Sequence, residues 1–160
     1  MKIGILSDSH DQMTQLEKAV ERFHREDVAW VLHAGDFVSP IAATPLGALR
    51  VPFLGVFGNC DGDRLYLTER FRDIGDLHAG PHEFEIEGTR IVLMHEPSTI
   101  DALAASRYFD LVIYGHTHRI DVRVDKALVV NPGECCGLLS GRATVAVVDT
   151  EAMTATLLDL

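Results

Sequence analysis

The stretch "KIGILSDSHDQMTQLEKAVERFHRE", Lys2 to Glu26, contains three successive patterns. Ile3 to Leu6 is a short apolar run, and such a run bounded by polar residues reads as a buried strand. Further on, Met13, Leu16, Val20 and Phe23 recur at steps of three, four and three. That spacing places them on one face of a helix whose other face carries Glu17, Lys18 and Glu21. Between the two stand Asp8 and His10. A buried strand, a polar loop and an amphipathic helix in that order open an α/β fold.

The same alternation continues. Val28 to Leu32, Phe53 to Phe57, Ile91 to Met94 and Leu111 to Tyr114 read as further buried strands. A weaker helical pattern runs from Ile100 to Tyr108, and Pro40 to Leu49 and Leu65 to Ile74 read as short or broken helices. The last third changes character: Val122 to Val124, Leu128 to Val130, Ala143 to Val148 and Thr154 to Leu158 are strand-like with little helix between them, which favours hairpins. Another hairpin is expected where the alternating Glu83 to Glu87 meets "GTRIVLM" at Gly88. The expected architecture is α/β, with two mixed β-sheets packed face to face as a sandwich and helices outside. The 160 residues show no repeat, low-complexity tract or composition break, so one domain over 1–160 is expected.

Composition restricts the partners. With 14 basic and 24 acidic residues the formal net charge is −10, and no Lys/Arg cluster tracks a phosphate backbone, so long nucleic acid is not expected. Cys60, Cys135 and Cys136 are too few and too oddly placed for a disulfide framework, which points to a reducing, cytoplasmic setting. No apolar window approaches a membrane span, so no membrane association is expected; homo-oligomerisation is left open.

Open α/β sheets place ligands just past the carboxyl ends of their strands. Here those endings read "SDSH", "HAGD", "GNCD", "HE" and "GHTH". They supply Asp8, His10, Asp36, Asn59, His95, His116 and His118, all competent metal ligands. An oxygen and imidazole set of this size offers donors for two divalent ions, and Asp36, the only ligand in its loop, is the candidate bridge. Asp8 with His10, and His116 with His118, are two apart, so in extended chain each pair faces one side. Which histidine serves which ion does not follow from spacing. Any one of these loops alone would read as a turn or cap; five together are what carry weight.

The other histidines are weaker candidates. His24 lies among charges on a helix, and His78 and His82 flank Gly80-Pro81 in a loop; none is given a role. His33 either orients a ligand from behind or is a satisfied buried side chain. "GECCG" and "LSGR" lack the spacing of a phosphate-binding glycine loop.

The ordered set "DSH", "GD", "GNCD", a strand-terminal His95 and "GHTH", followed by "VVNPG", resembles the calcineurin-like metallophosphoesterases, and most nearly their small bacterial and archaeal phosphodiesterase branch. The resemblance implies a β-sandwich flanked by helices and a two-metal site. It implies that Asp8, His10, Asp36 and His118 hold one ion, and Asp36, Asn59, His95 and His116 the other. Manganese is the usual metal, with Ni, Co, Fe, Zn or Mg as alternatives. Three positions depart from the family pattern: Cys60 stands where many members have a histidine, Glu96-Pro97 follows His95 where glycine is common, and Glu134 replaces the serine of "NPGS". The cysteine is shared with related small phosphodiesterases.

A two-metal site is suited to in-line hydrolysis of a small phosphate ester by activated water. Asp36, Asn59, His116 and Asp61 are the candidate catalytic residues: Asp36 as bridge, Asn59 and His116 near the substrate oxygen, and Asp61 as a substitute proton donor. Without histidine at position 60, a diester is favoured over an alkyl monoester. Arg64, Arg107 and Arg119 are available to a phosphate. The rival readings are a phosphomonoesterase and a non-catalytic protein-binding scaffold, the use made of this fold by the retromer subunit that resembles the family.

Overall fold

The computed structural model describes residues 1–160. Its first sheet holds four parallel strands, β1 (Lys2–Leu6), β2 (Trp30–His33), β3 (Phe53–Val56) and β4 (Gly75–His78). Two antiparallel strands complete it, β10 (Thr144–Asp149) beside β1 and β11 (Thr154–Asp159) at the edge, in the order β11-β10-β1-β2-β3-β4. The second sheet has the order β5-β6-β7-β9-β8, with β5 (His82–Ile86), β6 (Thr89–Leu93), β7 (Leu111–Ile113), β8 (Ile120–Val124) and β9 (Leu128–Pro132). Its central β6, β7 and β9 are parallel, and its edges β5 and β8 are antiparallel to their neighbours.

Side-chain alternation along the strands builds the layers. Ile3 and Ile5 of β1, Leu54 and Val56 of β3, Ile91 and Leu93 of β6 and Ile113 of β7 fill the space between the sheets. Leu6, Val31, Phe53, Val145 and Val147 face the other way, under α1 (Met13–Glu26) and the shorter α2 (Ala43–Leu46) and α3 (Arg64–Phe71). On the far side, Val92, Val112 and Val129 meet Ile100 and Ala104 of α4 (Ile100–Ala105). The result is the expected sandwich of two mixed sheets with helices on both outer faces.

Helix α1 buries Leu16, Ala19, Val20 and Phe23, the face marked by the sequence spacing. It stops at Asp27, whose φ of 56° is left-handed and whose N–H bonds back to the carbonyls of Phe23 and His24. α3 starts at Asp63, whose carboxylate accepts from the Tyr66 N–H.

The stretch Pro40 to Leu49 is a broken helix, as expected: a 3-10 turn, Pro40–Ala42, and the single-turn α2, because Pro45 lacks the N–H to extend a longer helix from upstream. Other boundaries differ from expectation. α4 ends at Ala105, short of Tyr108. His78 and His82 lie in β4 and β5, not in a loop, and their rings stack with centroids 3.8 Å apart. β4, "GDLH", was not foreseen: it has no β-branched residue, and it forms because β3 needs a hydrogen-bonded neighbour along Phe53 to Val56.

Parallel pairing brings the strand ends level. Leu6 pairs with His33, His33 with Gly55, and Leu93 with Ile113. The loops after β1, β2 and β3 therefore emerge along one rim of the first sheet, and those after β6 and β7 along the rim of the second.

Candidate metal centre

The loops at these rims are bonded to one another through their main chains. Asp8 N–H donates to Gly35 O, Ser9 and His10 N–H to Asp36 O, and Asp11 N–H to Phe37 O. Gly115 N–H donates to His95 O, which ties the two loops of the second sheet together. A Cβ at Gly115 would overlap Ser7 Oγ and lie 2.9 Å from Asp8 Oδ2, so glycine here is what lets the second sheet's loop reach the first.

All seven candidate ligands meet in this space. Asp8 is fully buried; its Oδ2 accepts from Ser7 Oγ at 2.6 Å and from the His116 N–H at 3.1 Å. Its Oδ1 has no hydrogen-bond partner and lies 3.4 Å from His118 Nε2 and 3.9 Å from His10 Nε2. His10 Nε2 is likewise buried without a partner, 3.5 Å from Asp36 Oδ2. The second oxygen of Asp36 faces elsewhere: Oδ1 accepts from the Cys60 N–H at 2.8 Å and lies 3.4 Å from His95 Nε2. Around His95 Nε2 stand Asn59 Oδ1 at 2.9 Å and His116 Nδ1 at 3.3 Å, and His116 Nδ1 is itself 2.9 Å from Asn59 Oδ1.

The tautomers follow from the outer partners. Ala34 O, 2.8 Å from His95 Nδ1, can only accept, so Nδ1 carries the proton and Nε2 turns a lone pair inward. The Glu134 carboxylate, 2.7 Å from His118 Nδ1, does the same for His118. In the neutral rings, lone pairs thus converge from both sheets on the carboxylate oxygens of Asp8 and Asp36. Buried acceptors gathered this way are unfavourable without a cation. The donor set fits divalent ions with imidazole and oxygen preference. Each oxygen of Asp36 points to a different histidine, and His116 and His118 point to different clusters.

Asp8 and His10 do face one space, yet both are in left-handed conformations, φ 52° and 40°, not extended.

Charges respond to these surroundings. Burial pushes the Asp36 carboxyl up, but a hydrogen bond from the His95 ring in its doubly protonated form, together with that from Cys60, outweighs it and holds the group well below the usual range. Burial raises Asp8 despite the Ser7 hydrogen bond. Partial burial and the Asp36 carboxylate push the Cys60 thiol up to about 11.

Around the donors lie His33, Asp61 and Arg64, which brace or flank the ligand loops. His33, fully buried, accepts from the Gly35 N–H at Nδ1 and donates from Nε2 to Ser9 Oγ at 3.0 Å; burial lowers it to about 3, so it is neutral. It is both a satisfied core side chain and a brace for two ligand loops. Asp61 accepts from the N–H groups of Asp36, Val38 and Gly58 at 3.1, 2.7 and 2.7 Å. Both its oxygens are therefore engaged with backbone. Beside Asn59 and His95 opens a cleft of about 320 Å³ lined by Phe57, Arg64, Pro81, Met94, Glu96 and Thr99, among others. Arg64 lies over the Phe57 ring at 5.2 Å and donates to Gly58 O. Arg107 and Arg119 do not line it.

Comparison with known proteins places the chain. Residues 1–153 match the calcineurin-like phosphoesterase superfamily domain. A phosphodiesterase of Methanocaldococcus jannaschii is 40% identical over 156 residues, covering 94% of each chain. A solved structure described as a novel archaeal phosphodiesterase superposes with a TM-score of 0.94 at 38% identity over 100% of both chains. Vps29 from Chaetomium thermophilum shares the fold alone, with a TM-score of 0.72 at 14% identity over 100% of this chain and 94% of its own. The fold, the inward-facing donors and the sequence match agree: the chain belongs to the calcineurin-like phosphoesterase superfamily.

Proposed function

We propose that the protein is a phosphodiesterase that hydrolyses a small phosphate diester with two divalent ions, manganese foremost. One observation carries this reading: Asp36 presents one oxygen to His10 at 3.5 Å and the other to His95 at 3.4 Å, between one donor group of Asp8, His10 and His118 and another of Asn59, His95 and His116. Asp8, His10, Asp36 and His118 would hold one ion, and Asp36, Asn59, His95 and His116 the other. Divalent ions held there would supply Lewis-acid polarisation, a lowered pKa for water, and positive charge where an anionic ester must approach a chain of net charge −10.

The chain's own residues orient this chemistry. Asp61 acts as a positioning residue, gathering the backbone of both Asp36 and Gly58. Asn59, in the cleft wall, and His116, 2.9 Å behind it, hold the substrate oxygen, while Arg64, also at the wall, faces the ester. Cys60 offers a thiol where an imidazolium would be the stronger acid. Substrates that leave without strong protonation are therefore favoured, which ranks diesters with acidic leaving groups above alkyl monoesters. The phosphodiesterase name of the M. jannaschii relative supports the same class.

Purified protein with manganese is expected to cleave bis-p-nitrophenyl phosphate faster than p-nitrophenyl phosphate. Asp36→Ala is expected to lower kcat/KM about a thousandfold, the loss of several kcal/mol of transition-state stabilisation. Activity that survives both the substitution and a chelator would refute the mechanism. A stable protein that binds no metal and holds a protein partner would support the scaffold reading instead.

A further inference from the structure

We propose that Glu134 is a positioning residue that fixes the tautomer and ring plane of His118, so that Nε2 of His118 serves the ion site formed with Asp8, His10 and Asp36. The proposal rests on the two-ion reading above.

Glu134 follows β9 and is fully buried. An ionised carboxylate in that position needs donors on every side. Its Oε1 accepts from the Ser140 N–H at 2.5 Å, from Ser140 Oγ at 2.6 Å and from the Leu139 N–H at 2.9 Å. Its Oε2 accepts from His118 Nδ1 at 2.7 Å, from Cys136 Sγ at 3.2 Å and from the Leu139 N–H at 3.1 Å. Ser140 thus clamps Oε1, the Leu139 N–H spans both oxygens, and Oε2 is aimed at the imidazole.

The consequence for His118 is specific. A carboxylate cannot donate, so the ring proton sits on Nδ1 and the Nε2 lone pair faces Asp8 Oδ1, 3.4 Å away. The carboxylate also makes the imidazole a stronger donor to a metal than a backbone carbonyl would. His95 has only the Ala34 carbonyl behind it. Glu134 therefore acts on the first cluster alone and touches none of Asn59, His95 or His116.

Glu134→Gln keeps the side chain's shape while removing its charge and offering an amide group to the surrounding donors. Manganese titration followed by electron paramagnetic resonance is expected to show two ions on the wild type. On the variant, one ion should bind as before and the other about 10- to 100-fold more weakly. In a His118→Ala background, the same substitution should cause no further loss of manganese, because the effect passes through that ring. A general structural role would weaken both ions, or add its loss to that of His118→Ala; either result overturns the proposal.

A second measurement needs no variant. In zinc-loaded wild-type protein, nitrogen-resolved magnetic resonance should place the His118 proton on Nδ1, with Nε2 shifted by the metal. A proton on Nε2 overturns the proposal even if Glu134→Gln fails to fold. The two readings separate cleanly. Wild type that binds no manganese defeats the two-ion reading and this proposal with it, whereas equal binding of two ions by wild type and Glu134→Gln defeats this proposal alone.

Discussion

Asp8, His10, Asp36, His116 and His118 have φ values of 52°, 40°, 61°, 68° and 56°. Left-handed backbone costs a residue with a Cβ roughly 1–2 kcal/mol, and its concentration on ligand positions marks strain held at a working site. The close approach of Gly58 to Asp36 belongs to the same design: a Cβ there would overlap Asp36 Oδ1 and lie 2.6 Å from the Asp36 nitrogen. Gly58→Ala must therefore displace the carboxylate between the two clusters. Its expected effect is a fall of about 100-fold or more in kcat/KM, as for a reacting geometry moved by an ångström, with the circular dichroism spectrum retained. The seven ligands were legible because each stands just past an apolar run. Glu134, Ser7 and Ser9 were not, since their value lies in contacts with His118, Asp8 and His33, and no spacing along the chain encodes those meetings.

Elements docked by a strong apolar stripe were also legible. Phe23 projects from α1, is fully buried and packs in the cluster beneath the helices. Phe23→Ala is expected to destabilise the fold by about 3–5 kcal/mol in urea unfolding, while activity per folded molecule persists. Elements held by pairing rather than pattern were harder to read. β4 takes its shape from β3, and its exposed Asp76 beside half-buried Leu77 and His78 resembles a loop in isolation. The join between β6 and β7 depends on Asp110, whose carboxylate receives three hydrogen bonds from Arg90: the N–H at 2.9 Å, Nε at 3.0 Å and Nη2 at 2.8 Å. The Arg90 side chain holds the Asp110 carboxyl below its ordinary value. A depressed carboxyl stabilises the fold above its unfolded pKa and loses that contribution as pH falls through the folded one. Asp110→Asn should therefore lower the urea midpoint at pH 7, and the gap from wild type should close as pH falls below about 4.

At the scale of the molecule, the donors come from the rims of both sheets, so an ion bound among them links the two layers of the sandwich. Manganese at 100 times its dissociation constant should stabilise the folded state by about 2.7 kcal/mol per site. For a chain of this size one site corresponds to a rise in Tm of about 5–10 °C, reversed by chelator and checked by differential scanning calorimetry. No helix is long and apolar enough to cross a membrane. The pairing of β1 with β10 sets Lys2 against Asp149 and Ile5 against Ala146, almost the whole chain apart. During synthesis, β1 waits for that neighbour until β10 has been made and has left the ribosome. Asp8 and His10, anchored to that strand, reach their finished setting only then, so a chain that has not yet made β10 carries these two donors without the framework that aims them.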